Sequence, residues 1–255
     1  MQDRTARFTS LIQHVKPGKI VELGCGNGLV LEALSKRFSE SIIVGLDEDL
    51  EALEKVLEKG FDNVIPIKAD ITQKIFPDRT FDTALFVASL HEVFSYRGKK
   101  KVRVAFQNAS DMLMDSGVLI IQDFLRPPSR LVKINFLNEG AGKRFLRFAR
   151  EFRPRKVRYE EREGVVGVDI ADAVEFISKY RSPDEEDWQE EMRETHFFFT
   201  EEEYQEMAQR TGLVIKDFKK LPTDKSWWGA IREDMELTLE PQYLWAQLVL
   251  TKSVS

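Results

Sequence analysis

The chain has 255 residues, of which 42% are hydrophobic and 32% charged, with one cysteine and three histidines. This length and composition are typical of one globular α/β body with an appended unit. No apolar run approaches the roughly 18 residues that a membrane span needs, and the charged N-terminal segment lacks the core of a signal peptide. A single cysteine excludes an intramolecular disulfide, and the scattered histidines predict no metal site. We therefore expect a cytoplasmic protein without a transmembrane segment.

Charge is unevenly distributed along the chain. The net charge of -5 and the isoelectric point near 5.5 disfavour a dedicated nucleic-acid binder. Residues 126–158, however, contain eleven basic side chains and two acidic ones, whereas residues 159–206 are rich in acids. Any contact with a polyanion is therefore expected at the basic segment.

The predicted elements alternate between strands and helices up to residue 124. Apolar runs between turn residues predict five strands, at residues 19–24, 41–47, 63–70, 81–89 and 117–124. Apolar residues at helical spacing predict helices that begin at Leu29, Leu50 and Lys99. Strands that are apolar on both faces and joined by helices form parallel sheets covered on both sides. The sequence therefore predicts a doubly wound α/β fold.

The stretch from residue 125 to residue 199 interrupts this alternation. It contains helical patterns at 142–153 and 169–180, and it emerges at the carboxyl edge of the predicted sheet, where ligands bind in this fold class. We predict that residues 125–199 form a helical cap, inserted after strand five, that acts as a lid and binds the substrate.

The chain then returns to the predicted sheet. A helix begins at Thr200 with a capping box, and strand-like runs at 213–221 and 242–252 predict an antiparallel closing pair. The predicted core is therefore a mostly parallel seven-stranded sheet with an antiparallel last strand, formed by residues 1–124 and 200–255.

The segment ELGCGNG, residues 22–28, follows the first strand and precedes a helix. Its three alternate glycines allow a tight turn and the close approach of a ligand, and the helix N-terminus favours polar or anionic groups. Cys25 has no neighbouring base or cation, so we expect a buried, unreactive thiol. A dinucleotide fingerprint would need glycine where the chain has Leu29. A nicotinamide-dependent oxidoreductase is therefore only an outside alternative.

The pattern Glu-x-Gly-x-Gly-x-Gly at the end of strand one resembles motif I of the class I, Rossmann-like, S-adenosylmethionine-dependent methyltransferases. The resemblance implies S-adenosyl-L-methionine as the cofactor. It implies that the loop lines the methionine part of the cofactor, through Gly24, Gly26, Asn27 and Gly28. It also implies that Glu22 helps to hold the loop and the amino-acid group of the cofactor.

Acidic residues at the ends of strands two and three agree with this resemblance. Asp47, followed by Glu48, ends strand two, where a carboxylate can accept hydrogen bonds from both hydroxyls of a ribose. In the family, the position of Asp70 at the end of strand three contacts the adenine amino group, and the backbone N–H of Ile71 reaches a ring nitrogen. Ser89, at the end of strand four, completes the predicted cofactor site. Either aspartate could instead cap the helix that follows it.

The segment SLHEVF after strand four provides candidates for methyl transfer, which needs in-line positioning and, for a hydroxyl or amine acceptor, removal of a proton. His91 is the candidate general base, because an unperturbed histidine titrates near neutral pH. Glu92 could orient its ring or bind a cationic group of the substrate. A purely structural histidine is the alternative. Asp123 lies on the same rim, but a single carboxylate makes no metal site, and we assign it no role.

The sequence leaves two classes of methyl acceptor open. Aromatic residues of the predicted cap favour a closed pocket for a small organic molecule, with the basic residues paired against the acidic segment that follows. Alternatively, the basic residues at 126–158 and 97–103 form a surface for RNA phosphates, as in a tRNA methyltransferase. The acidic isoelectric point favours the small molecule. A non-catalytic, cofactor-binding partner subunit is a further alternative, because this fold can serve without catalysing a reaction.

Overall fold

The computed structural model describes residues 10–223, 228–229, 231–241 and 243–253, so the first nine residues of the predicted core lie outside the described part. The strands are β1 (Lys19–Leu23), β2 (Ile42–Asp47), β3 (Val64–Lys68), β4 (Phe81–Val87), β5 (Leu113–Phe124), β6 (Leu131–Phe136), β7 (Tyr159–Arg162), β8 (Val165–Asp169), β9 (Leu213–Pro222), β10 (Met235–Leu237) and β11 (Tyr243–Lys252). The helices are α1 (Leu29–Arg37), α2 (Leu50–Glu58), α3 (Leu90–Met112), α4 (Glu139–Glu151), α5 (Ile170–Lys179), α6 (Glu185–Glu191) and α7 (Glu201–Arg210).

One sheet has seven strands in the order β3-β2-β1-β4-β5-β11-β9. The pairs β1–β2, β1–β4, β2–β3 and β4–β5 are parallel. The sheet is therefore mostly parallel with an antiparallel last strand, which confirms the predicted fold class. Ile20 and Val21 point to opposite faces of β1, and both are fully buried. Both faces of the sheet are thus covered, as a parallel sheet requires.

The strand order places a topological switch point between β1 and β4. Strands β2 and β3 extend the sheet on one side of β1, whereas β4 and β5 extend it on the other. Open α/β sheets bind ligands in the crevice outside the carboxyl ends of the strands at such a point. The glycine loop, the acids after β2 and β3, and the segment after β4 all follow carboxyl ends of these strands.

The chain divides into two compact units. The first extends to Asp123 and includes Glu201–Leu221 and the segment from Ala246. The second consists of Phe124–Thr200 and Pro222–Trp245. The segment 222–245, which the sequence analysis assigned to the core, therefore belongs to the second unit.

The second unit has a hydrophobic core and a sheet of its own. The sheet is antiparallel, in the order β10-β6-β8-β7. Helices α4 and α5 supply Phe145, Phe148 and Phe176, whose rings pack against one another within the core that also holds Trp188. The second unit thus contains the predicted helices together with a sheet that the sequence did not predict.

Helix α3 begins at Leu90, nine residues before the start that its apolar spacing predicts. Gly98 adopts a non-helical conformation (φ 77°, ψ 169°) and divides the helix into segments 90–97 and 99–112. The prediction found only the second segment, because the first carries a functional motif rather than an apolar stripe. Among the described helices, none is long and apolar enough to cross a membrane.

Candidate functional site

The glycine loop after β1 adopts backbone conformations that favour glycine. Gly24, Gly26 and Gly28 have φ values of 81°, 48° and 75°, in the left-handed region. A Cβ atom on Gly24 would lie 2.5 Å from the Cβ atom of Ser89, so this position also needs glycine for space. The backbone N–H groups of Gly24 and Cys25 donate to the carbonyl of Leu46, at 2.8 and 2.9 Å, and bind the loop to β2.

Glu22 lies at the base of this loop, in β1. It is buried, and among the described residues its Oε2 atom has no hydrogen-bond partner. Burial, and then the charge of Asp47, raise the pKa of Glu22 well above its ordinary value, while Lys59 opposes the rise. A buried acceptor without a partner is costly, which is a reason to expect a ligand there.

Asp47 connects the end of β2 to the glycine loop. Its Oδ2 atom accepts a hydrogen bond from the backbone N–H of Gly26 at 2.7 Å, and its Oδ1 atom accepts one from Asp49 N at 3.0 Å. Each carboxylate oxygen can accept a second hydrogen bond, so acceptors for a diol are still present. The side chain that caps α2 is Asp49, which accepts from Glu51 N. The capping alternative therefore does not apply to Asp47.

The acids after β2 and β3 are bridged by an arginine. Arg97 donates through NH2 to both oxygens of Glu48, at 2.6 and 2.5 Å, and through NH1 to Asp70 Oδ2 at 2.6 Å. Asp70 Oδ1 accepts from the backbone N–H of Thr72 at 2.8 Å, which fixes the turn after β3. The neighbouring Ile71 is buried. The sequence marked Arg97 only as part of the basic segment 97–103, so its pairing with two site acids was missed.

The segment between β4 and α3 begins with a strained residue. Ala88 has a φ of 52°, and its backbone N–H donates to the carbonyl of Gln122 at 2.8 Å. Ser89 follows; it is buried and its hydroxyl donates to the carbonyl of Leu23 at 2.7 Å. Ser89 thus holds the ends of β1 and β4 together. Asn27, the remaining predicted loop residue, has an exposed side chain.

His91 and Asp123 form a buried pair at the start of α3. Nδ1 of His91 lies 2.7 Å from Oδ1 of Asp123. The second oxygen of Asp123 accepts from the backbone N–H groups of Leu90, at 2.9 Å, and His91, at 3.3 Å. The carboxylate at Nδ1 is that of Asp123, whereas Glu92 is exposed. Asp123 lies at the end of β5, on the same rim of the sheet as His91. This position was the only indication of the His91–Asp123 pair in the sequence.

In this hydrogen-bond pattern the carboxylate of Asp123 is the acceptor, so the hydrogen between the two side chains belongs to Nδ1 of His91. When Nδ1 carries the hydrogen, the Nε2 atom of His91 is the ring nitrogen that can accept a proton. The geometry is that of a base held by a third group, the arrangement that general-base catalysis uses.

Cys25 is buried within the loop, as the sequence predicts. Burial, and then the charges of Glu22 and Asp47, raise the pKa of its thiol. A thiol with a raised pKa provides little thiolate, so Cys25 is unsuited to act as a nucleophile.

The residues at this site fit S-adenosylmethionine. The carboxyl group of Glu22 has an oxygen without a partner in the described chain, which can bind an ammonium group. A Cβ atom on Gly26 would meet no other atom within 4 Å, so the loop faces open space. Asp47 and Asp70 offer acceptors for the hydroxyl and amino groups of adenosine. The carboxyl groups at the ends of β1, β2 and β3 thus match, in that order, the ammonium group, the ribose hydroxyls and the adenine amino group of the cofactor.

Comparisons with known proteins agree with this site. A family model described as a methyltransferase domain matches residues 21–121, from β1 to β5. Over 135 residues the chain is 32% identical to a trans-aconitate 2-methyltransferase of Acidovorax sp. (strain JS42), which covers 51% of this chain and 48% of that protein. The chain therefore spans about half the length of the curated relatives it matches.

Solved structures show the same fold. An S-adenosylmethionine-dependent methyltransferase from Mesorhizobium loti has a TM-score of 0.59 at 18% identity, with coverage of 96% of this chain and 97% of that one. The 1,6-didemethyltoxoflavin-N1-methyltransferase of Burkholderia thailandensis, with bound S-adenosylhomocysteine, has a TM-score of 0.58 at 12% identity, with coverage of 98% and 77%. The part matched by the family model contains the glycine loop, the strand-end acids and His91. Residues 21–121 therefore match a methyltransferase domain, and the chain has the fold of S-adenosylmethionine-dependent methyltransferases.

Proposed function

We propose that the protein transfers a methyl group from S-adenosylmethionine to a small organic acceptor. The glycine loop and Glu22 bind the methionine half of the cofactor, and Asp47 and Asp70 accept hydrogen bonds from its adenosine half. The observation that carries the proposal is the convergence of an unpartnered buried carboxyl group, open loop space and strand-end carboxylates at one switch point.

His91 and Asp123 supply the acid–base chemistry of this proposal. The cofactor supplies a methyl group on a sulfonium, to which the acceptor adds as the carbon–sulfur bond breaks. Nε2 of His91 takes the proton that a hydroxyl or amine acceptor loses. Asp123 holds the ring through Nδ1 and stabilises the imidazolium that forms.

The pairing of basic side chains supports a small acceptor rather than RNA. In the basic segment 126–158, the following ion pairs are formed: Lys143 with Glu139, Arg147 with Glu151 and Glu185, Arg150 with Glu151, and Arg155 with Asp172. In the segment 97–103, Arg97 binds Glu48 and Asp70, and Lys99 binds Glu203. Cations that are already neutralised contribute less to phosphate binding.

The names of relatives also support a small acceptor. The Acidovorax relative is named for trans-aconitate and the Burkholderia neighbour for 1,6-didemethyltoxoflavin, both small organic molecules. We therefore propose small organic acids and heteroaromatic amines as the first acceptors to test.

The decisive experiment measures transfer of an isotope-labelled methyl group from S-adenosylmethionine. The acceptors are trans-aconitate, a panel of small acids and amines, and total RNA. Asp47→Asn is the inactive variant, because its amide replaces the carboxylate that the cofactor diol needs. Asp78→Asn, at an exposed ion pair with Lys74, is the matched control that we expect to retain activity.

Three results distinguish the possibilities. Label in a small molecule, lost in Asp47→Asn and retained in Asp78→Asn, would support the proposal. Label in RNA alone would replace the acceptor class with the RNA alternative. Binding of S-adenosylhomocysteine without transfer to any acceptor would favour a non-catalytic partner subunit.

A further inference from the structure

The bridge made by Arg97 lies on the adenosine side of the candidate cofactor site. Glu48 follows β2 and Asp70 follows β3, at neighbouring strand ends that pair in parallel. Arg97 reaches both from the end of the first segment of α3, and Gly98 breaks the helix directly after it. The break separates Arg97 from the segment 99–112.

The contacts of Arg97 use the fork of its guanidinium. One nitrogen, NH2, donates to both oxygens of Glu48, while the other, NH1, donates to one oxygen of Asp70. A planar fork with fixed donors holds two carboxylates in one relative position, which an ammonium group cannot do. The side chains of Arg97 and Asp70 are 34% and 14% exposed, so this contact is only partly screened by water.

Arg97 acts to lower the pKa of both neighbouring carboxylates. Burial raises the pKa of Glu48, Arg97 opposes this rise, and the charge of Asp70 adds to it. For Asp70, burial acts to raise the pKa, but hydrogen bonds from Thr72 and the charge of Arg97 leave it below its ordinary value. Without the arginine, the like charges of Glu48 and Asp70 would repel each other with no cation between them.

We propose that Arg97 is a positioning residue for the cofactor: it bridges Glu48 and Asp70 and holds them at a fixed separation, so that both accept hydrogen bonds from adenosine. This inference rests on the proposed function, and it assigns a role to a residue that contacts the acids rather than the reacting atoms. Asp70 Oδ1 accepts a hydrogen bond from the backbone N–H of Thr72, and the carboxylate has further acceptor sites for the adenine amino group.

The test measures the dissociation constant of S-adenosylhomocysteine by calorimetry for the full chain and its variants. Arg97→Gln should weaken binding by about 10- to 100-fold, the cost of losing charge-assisted hydrogen bonds. Arg97→Lys should recover only part of this loss, because an ammonium group restores charge without the fork. Arg210→Gln, which removes an exposed ion pair with Glu206, is the matched control and should bind like the wild type.

A double substitution separates positioning from general destabilisation. In the Glu48→Gln background one of the two repelling charges is absent, so Arg97→Gln should weaken binding by less than about threefold. A purely structural role would give the same loss in both backgrounds, and so would overturn the proposal. Equal or tighter binding by Arg97→Gln alone would also overturn it, since Arg97 would then compete with the cofactor for the acids.

Binding of S-adenosylhomocysteine by the wild type distinguishes a failure of this inference from a failure of the proposed function. If the wild type binds S-adenosylhomocysteine and the variants show no coupling, the inference about Arg97 fails while the proposed function stands. If the wild type does not bind S-adenosylhomocysteine, the proposed cofactor site itself is wrong.

Discussion

Two buried carboxyl groups, Glu22 in the first unit and Glu175 in the second, have opposite surroundings. In the first unit Glu22 is buried with an oxygen that has no partner among the described residues. In the second unit Lys179 and Glu175 are fully buried and form an ion pair, and Lys179 also binds Glu191 at 2.7 Å. Among the described residues, Glu22 thus keeps an unsatisfied acceptor, whereas Glu175 is paired within its own unit.

Glu175 has further partners within the second unit. Its Oε2 atom accepts from the hydroxyl of Thr195 at 2.8 Å, and its Oε1 atom accepts from the backbone N–H of His196 at 2.8 Å. Arg155 lies 3.5 Å from the same carboxylate and binds Asp172 at 2.7 Å. A network with every member paired stabilises a scaffold, while an unpaired buried group indicates a place for a ligand. We therefore expect changes in the first unit to alter function more than stability, and changes in the network to do the reverse.

The largest functional effect is expected at His91. His91→Gln removes the proposed base, so kcat should fall by about 10²–10⁴-fold, the usual contribution of a general base. The apparent affinity for S-adenosylmethionine should change little, because Glu22, Asp47 and Asp70, the carboxylates proposed to contact the cofactor, lie on or after other strands. Steady-state kinetics with varied S-adenosylmethionine and saturating acceptor measure both quantities. His14→Gln, at a histidine hydrogen-bonded to Gln13, is the matched control.

An unchanged kcat in His91→Gln would contradict the role of His91 as a base. It would point to an acceptor that is already ionised, such as a carboxylate, and leave the contact with Asp123 as a purely structural one. Thermal unfolding of the same variant distinguishes this outcome from a loss of folded protein.

The largest stability effect is expected at Lys179. Lys179→Met keeps the length of the side chain but leaves Glu175 and Glu191 without their shared cation in a buried site. Removing one member of a buried ion pair costs about 3–5 kcal/mol, and we expect a loss of the free energy of unfolding in that range. Urea denaturation measures it. Lys143→Met, at an exposed pair with Glu139, should change stability by less than about 0.5 kcal/mol. Similar losses in both variants would show that the buried network does not stabilise this unit.

The sequence predicted those parts of the fold that carry strong local signals. Continuous apolar runs marked β1, β2 and β4, and helical spacing marked α4 and α5, each within a few residues of its bounds in the structure. The sheet of the second unit was missed for physical reasons. Strand β6 alternates buried and exposed residues over only six positions, and β7 is exposed throughout, as charged edge strands often are.

The candidate site likewise contains residues that the sequence predicted and contacts that it missed. The glycine loop and the strand-end acids could be placed from the sequence, because each follows directly after an apolar strand. The contacts made by Arg97 and Asp123 could not, since their partners lie 27 and 32 positions away in the chain. Only the strand order brings such residues together. Local patterns therefore identify the elements of the site, and the fold determines which of them act as pairs.

A smaller effect on stability, with a clear effect on binding, is expected at Gly26. Gly26→Ala places a methyl group in open space at a φ of 48°, so folding should lose about 1–2 kcal/mol from backbone strain. Gly60 has a φ of 64° and equally open space, and Gly60→Ala is the matched control. Both variants should lose similar stability in urea denaturation, but only Gly26→Ala should weaken the binding of S-adenosylhomocysteine. Equal affinities would place the cofactor elsewhere.

The smallest effect on stability is expected at Glu22, and it should depend on pH. Because the pKa of Glu22 is raised in the folded protein, the folded state binds this proton more tightly than the unfolded chain does. Its contribution to stability is complete below the unfolded pKa, near 4.3, and is lost as the pH rises through the folded pKa. Glutamine is neutral at every pH. Glu22→Gln should therefore match the wild type near about pH 4 and become progressively more stable than it at higher pH.

Urea denaturation from about pH 4 to pH 9 measures this difference, and Glu32→Gln provides a control of opposite sign. The ion pair with Lys36 lowers the pKa of Glu32, so the wild type gains stability from that group above its unfolded pKa rather than below it. A constant difference between Glu22→Gln and the wild type would mean that folding leaves the pKa of Glu22 unchanged, with Lys59 offsetting the effect of burial. The carboxyl group would then be ionised at neutral pH, and the cofactor ammonium would bind it without releasing a proton.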